Sequence, residues 1–79
     1  MARVLLFGRL ADIAGWRDAT IEVSSLSGLR DTLTATDSAL GDALAGPGVQ
    51  AAVDKVIVRG EVALSAGSEV AFLPPMSGG

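Results

Sequence analysis

Glu69-Val70-Ala71-Phe72-Leu73-Pro74-Pro75-Met76-Ser77-Gly78-Gly79 is the stretch on which the reading of this chain turns. Its first five residues form a short run of strand formers. The two prolines stop the strand, because proline brings no N–H to a ladder and holds the backbone extended. Ser77-Gly78-Gly79 then has almost no side chain, and a glycine pair can thread a channel too narrow for any Cβ. At roughly 3.3 Å per residue, Pro74 to Gly79 could carry the Gly79 α-carboxylate about 20 Å from the sheet, far enough to enter another protein's active site. A carboxylate is unreactive as it stands, but once adenylated it becomes an acyl donor that a sulfur or amine nucleophile can attack. The expected division is a folded domain over residues 1–73 and a flexible Gly-Gly tail over 74–79.

Upstream of this stretch the chain reads as short strands: Gln50 to Val53, Lys55 to Arg59 and a piece around Val62 to Leu64, with Gly60 and Ser65-Ala66-Gly67-Ser68 supplying turns. Gly46-Pro47-Gly48 separates them from a helical part. There Ser25 stands as the natural N-cap before Leu26, Leu29 and Leu33, spaced three and four apart for one buried face. Thr34-Ala35-Thr36-Asp37-Ser38 favours caps and turns, which predicts a break near Thr36 and a second short helix carrying Leu40 and Leu44. Before that, Arg3 to Phe7 reads as a central strand and Arg9 to Ala14 as a helical turn between two glycines. Thr20-Ile21-Glu22-Val23-Ser24 alternates as a strand with one wet face, pairing antiparallel with the first. The order implies an α+β fold, with a main helix and short helical segments packed on one face of a four- to five-stranded sheet.

Composition narrows the chemistry. The 79 residues allow one small domain; 49% are hydrophobic, but 13 of those are alanine, so the core must be compact and aliphatic. There is no cysteine, histidine or tyrosine, which excludes disulfides, thiolate metal sites, Ser-His and Cys-His pairs and the commonest general acid/base. Six basic residues scattered singly against nine acidic ones give a net charge of −3, no footprint for nucleic acid. No apolar run approaches a membrane span, so the expected compartment is the cytoplasm. Gly46-Pro47-Gly48-Val49-Gln50-Ala51 matches a dinucleotide pattern but follows a helix and precedes a strand, the wrong context for that motif. Asp37 and Asp42 lack calcium-loop spacing, and no metal is expected. Trp16 reads either as a cap on one edge of the core or as an interface anchor.

The closing stretch Glu69 to Gly79 resembles the ending of MoaD-like small subunits of molybdopterin synthase, sulfur carriers of the ubiquitin-like β-grasp fold. Ala51-Ala52-Val53 with its turn, the loop Leu64 to Val70 and the start Val4-Leu5-Leu6-Phe7-Gly8 resemble that family too, so the likeness spans essentially the whole chain. The resemblance implies a mixed β-grasp sheet and a carrier that is not itself an enzyme. It implies that Gly79 is adenylated by an ATP-dependent, E1-like (MoeB-like) activating enzyme and converted to a thiocarboxylate. A large, MoaE-like synthase subunit would then take the sulfur for a cyclic pyranopterin precursor. Nothing would be bound permanently; the acyl-adenylate and thiocarboxylate are transient. Gly78 and Ser77 would allow insertion, and Phe72, Leu73, Pro74, Pro75, Met76 and Phe7 would lie along the contact with both partners. No side chain would be catalytic, and neither nucleic acid nor membrane would be a partner. The alternatives are a β-grasp sulfur carrier for thiamine or cysteine synthesis and a non-carrier interaction module. Two positions depart from the family: Asp54 stands where asparagine is common, and Leu73 where many members have an aromatic residue.

Overall fold

The computed structural model describes residues 1–75. The elements, in chain order, are β1 (Ala2–Leu6), α1 (Arg9–Ala14), β2 (Asp18–Ile21), α2 (Leu26–Thr36), α3 (Ser38–Leu44), β3 (Gln50–Val53), β4 (Val56–Val58) and β5 (Glu69–Leu73). They form one five-stranded sheet in the order β2-β1-β5-β3-β4. β1 and β5 run parallel in its middle, while β1–β2, β3–β4 and β3–β5 are antiparallel. This mixed sheet with its helices is the α+β, β-grasp arrangement that the resemblance implied.

The helices start where the side chains can cap them. Ser25 accepts a hydrogen bond from Gly28 N–H at 3.0 Å, as its place before the leucine series predicts. Asp37 ends α2 and caps α3 through Leu40 N–H at 3.1 Å, so the expected break falls one residue past Thr36. Leu26, Leu29, Leu33, Leu40 and Leu44 are all buried, packed on the sheet face formed by Val4, Leu6, Val70, Phe72 and Ala51. Trp16, half-buried, packs against the edge of this core.

Two expected strands are displaced. β2 spans Asp18–Ile21 rather than Thr20 to Ser24, because its register with Ala2–Leu6 places Ile21 opposite Ala2, where β1 begins. The Val62 to Leu64 piece makes a single bridge, Ser25 to Ala63, rather than a strand. That segment instead closes the N-terminal end of α2: Leu26 N–H donates to Val62 O and Leu64 N–H to Ser24 O, both at 2.9 Å. The Glu61 carboxylate accepts hydrogen bonds from Ser27 N–H at 3.0 Å, Val62 N–H at 2.9 Å and the Ser27 hydroxyl. These bonds, the hydroxyl's above all, hold Glu61 below the usual carboxylate range.

Asp54 shows why its position accepts a short polar residue. Asp54 and Lys55 both have positive φ, 49° and 71°, and form the two-residue turn between β3 and β4. Aspartate and asparagine tolerate that region far better than other non-glycine residues. The Asp54 N–H donates to Glu69 O at 2.8 Å and its Oδ1 accepts from Glu69 N–H at 2.9 Å. A turn residue thus extends the β3–β5 ladder by two bonds.

Candidate functional site: the tail root and the open face of the sheet

The tail leaves the sheet at Leu73, and its first two residues are seated on glycines. Gly8 and Gly48 have φ of 57° and 82°, in the region that side chains rarely adopt. A Cβ on Gly8 would lie 3.0 Å from Pro74 Cγ, and one on Gly48 would lie 2.7 Å from Pro75 Cβ. The loop after β1 therefore carries Pro74 and the loop before β3 carries Pro75. Gly48, whose sequence context only suggested a turn, is half of the seat. Beside it, Pro75, Arg9, Leu10, Ala43, Pro47 and Val49 line a groove of about 280 Å³. Pro74 is half-buried and Pro75 exposed.

Side chains alternate along strands, so the residues opposite the helices form a second surface. Leu5 of β1 is in register with Ala71 of β5, Ala71 with Ala52 of β3, and Ala52 with Ile57 of β4. Ala52 is buried without belonging to the core cluster, since it is covered by neighbours on this open face. Leu73, half-buried, is on the same face, and continuing the β1–β5 register places Phe7 beside it. Phe7 N–H donates to Phe72 O at 3.3 Å. Phe7 is 46% exposed and Ile57 45%, so an apolar belt crosses the sheet and ends at the root of the tail.

The far end of this face is ionic. The Arg3 guanidinium donates from Nε to Asp18 Oδ1 at 3.1 Å and from Nη2 to Oδ2 at 2.5 Å, with Glu69 3.8 Å away. The pairing with Arg3 holds Asp18 below the usual carboxylate range. Among the described residues no group of three acidic, histidine or cysteine side chains could hold a metal ion.

The structure thus brings Phe7, Leu73, Pro74 and Pro75 together. Met76, Ser77, Gly78 and Gly79, expected at the contact and as the reactive end, lie outside the described residues. Phe72 requires correction: expected along the partner contact, it is fully buried, on the helix face in register with Leu6 and Ala51. The Arg30 guanidinium lies 5.3 Å from its ring centroid. Its backbone carbonyl serves the tail root, but its side chain belongs to the core. Sequence reasoning missed Leu5, Ala52, Ala71 and Ile57. The alternation of Val70 and Phe72 with Ala71 and Leu73 was the available signal for Ala71.

A central β5 parallel to β1, in a mixed five-stranded sheet covered by helices on one face, defines a small ubiquitin-like β-grasp protein. The chain belongs to the ThiS family, whose family model matches residues 4–79. Family members are small sulfur-carrier or modifier proteins rather than catalysts, and they act with E1-like activating enzymes and partner enzymes. Among solved structures, the chain is similar to small archaeal modifier protein 1 from Haloferax volcanii, with 26% identity, a TM-score of 0.86 and coverage of 99% of this chain and 98% of that one. Small archaeal modifier protein 1 from Methanosarcina acetivorans gives 23% identity, a TM-score of 0.82 and coverage of 99% and 95%. Mycobacterium tuberculosis CysO gives 20% identity, a TM-score of 0.82 and coverage of 96% and 100%. No curated protein sequence matches the chain. Among the described residues, no helix is long and apolar enough to cross a membrane.

Proposed function

We propose that this protein is a sulfur carrier of the molybdopterin branch. The Gly79 carboxylate is adenylated by an E1-like enzyme using ATP, converted to a thiocarboxylate, and donates its sulfur to a cyclic pyranopterin precursor on a MoaE-like large subunit. The observation that supports the reading is the paired seat of Pro74 on Gly8 and Pro75 on Gly48, which holds the chain that leads to the C-terminal glycines at the end of β5. The belt of Leu5, Phe7, Ala71, Leu73 and Ile57 supplies an apolar surface beside that exit for both partners to grip. No side chain of the carrier takes part in the chemistry; the acids, bases and nucleotide site belong to the partners. The site of action is the cytoplasm.

Intact-mass and C-terminal-peptide mass spectrometry after incubation with ATP, a sulfur donor and activating enzymes tests the chemistry. Replacement of one Gly79 oxygen by sulfur is the expected result. Deletion of Gly79 should abolish it with the melting temperature nearly unchanged, because a terminal glycine has no side chain to bury. Transfer competence in the truncated protein refutes the reading. Presenting the thiocarboxylate to a large molybdopterin synthase subunit, and in parallel to thiamine and cysteine acceptor enzymes, decides the branch: dithiolene formation supports it, and transfer only to another acceptor overturns it.

A further inference from the structure

The groove beside the tail root is apolar except at one wall. Leu10 of α1 is buried there, while Ala43 of α3 and Val49 pack against the core on one side and line the groove on the other. Pro47 and Pro75 complete it, so the groove is continuous with the seat of the tail on Gly48. Among the described lining residues only Arg9 is charged. Arg9 is exposed and has no ion-pair partner among the described residues; Asp12, about one helical turn on, is not within pairing distance. An uncovered apolar groove with a cation on its wall suits an occupant that is apolar at one point and anionic at another.

The sequence supplies such an occupant directly after Pro75. Met76 is the last apolar side chain, and its unbranched thioether suits an irregular gap. Ser77, Gly78 and Gly79 add almost no bulk before the Gly79 α-carboxylate. Four residues reach at most about 14 Å, enough to cross a groove of about 280 Å³ whose rim already holds Pro75. The two glycines can take the positive φ by which a chain turns back on its own domain.

We propose that this groove is a docking site for the protein's own residues 76–79. The Met76 side chain enters between Leu10, Ala43 and Val49, and the Gly79 carboxylate pairs with the Arg9 guanidinium. The belt of Leu5, Ala71 and Ile57 lies on the sheet face away from the helices, so docking leaves it open. An enzyme that grips the belt then meets a chain whose C-terminal carboxylate is held against α1, and draws it out before acting on it. The inference concerns the protein alone and does not rest on the sulfur-carrier reading.

The test is NMR of the full chain at two concentrations, beside Met76→Ser, Arg9→Gln and the chain lacking residues 76–79. The Met76 Cε methyl should show nuclear Overhauser contacts to the methyl groups of Leu10 and Val49. Met76→Ser and the deletion should displace the Leu10, Ala43 and Val49 methyl resonances in the same direction. Arg9→Gln should displace them less, since an exposed ion pair contributes little, and should raise the mobility of Gly79 in nitrogen-15 relaxation. Should the shortened chain lose its fold, the two substitutions, one at an exposed side chain and one beyond Pro75, carry the test. Groove methyls unmoved by Met76→Ser overturn the proposal, as does Gly79 relaxation unaltered by Arg9→Gln. Met76 contacts to Leu5, Ala71 or Ile57 overturn it by placing the segment on the belt. Groove shifts that grow with concentration overturn it by making a second copy the occupant. None of these readouts needs an activating enzyme or sulfur at Gly79, so this inference and the sulfur-carrier reading fail separately.

Discussion

Gly48→Ala and Gly60→Ala separate the seat of the tail from simple backbone strain. The two glycines share a φ of 82°, but a Cβ at Gly48 meets Pro75 Cβ at 2.7 Å while one at Gly60 has nothing within 4 Å. Forcing an alanine into the left-handed region costs about 1–2 kcal/mol, and both variants carry that cost. At Gly48 the new methyl also falls about 1 Å inside normal carbon–carbon contact, and Pro75, a rigid ring, cannot rotate clear. The ring must shift off the loop before β3, giving up the apolar contact it makes there, worth about 1 kcal/mol. For a domain of this size an extra 1 kcal/mol lowers Tm by about 4–8 °C. Thermal unfolding followed by circular dichroism should therefore place Gly48→Ala that far below Gly60→Ala. In a Pro75→Gly background, where no ring is left to displace, the two should coincide. Equal Tm values for the single variants, or a gap that survives Pro75→Gly, would refute the seating of the tail on Gly48.

Phe72→Ala should cost about 3–5 kcal/mol by leaving a cavity under α2, a large share of the roughly 4–12 kcal/mol available to a chain this long. Denaturant unfolding measures it, and a cost below about 1 kcal/mol would return Phe72 to the surface. The acid limb of stability should respond to Glu61. Because its pKa is lowered in the folded state, its contribution is fully present above the ordinary glutamate range and is lost as pH falls through the folded value. Glu61→Gln should lower stability near neutral pH and flatten the decline on acidification; parallel pH profiles for the two proteins would discount the Glu61 contact with α2.

The elements that the sequence announced were those governed by local chemistry. Ser25 and Asp37 cap helices because their oxygens reach N–H groups three residues on, a relation visible in any linear reading. The misplaced features depend on register between distant segments. Thr20 to Ser24 alternates well enough for a strand, but where pairing begins is decided by Ala2, eighteen residues or more upstream. The belt of Leu5, Ala52, Ala71 and Ile57 is drawn from four strands, and nothing near any one of these residues marks it as a surface. Phe72 was misjudged for the converse reason. Its neighbourhood resembles a docking segment, but parity with Val70 sends its ring inward, while Leu73 and the prolines stay at the exit. Asp54 looked like a charge introduced into a neutral turn; its carboxylate in fact replaces a ladder partner.

The central place of β5 has a consequence for when the molecule becomes recognisable at all. Before residue 73 has been made, the nascent chain holds β1–β2 and β3–β4 as two hairpins with no strand to join them. An isolated hairpin is at best marginally stable in water. Leu5, Ala52 and Ile57 become neighbours only when Ala71 enters between them. The belt thus reports that β5 is in place: an enzyme that grips it before acting on the tail passes over chains that stop short of that strand.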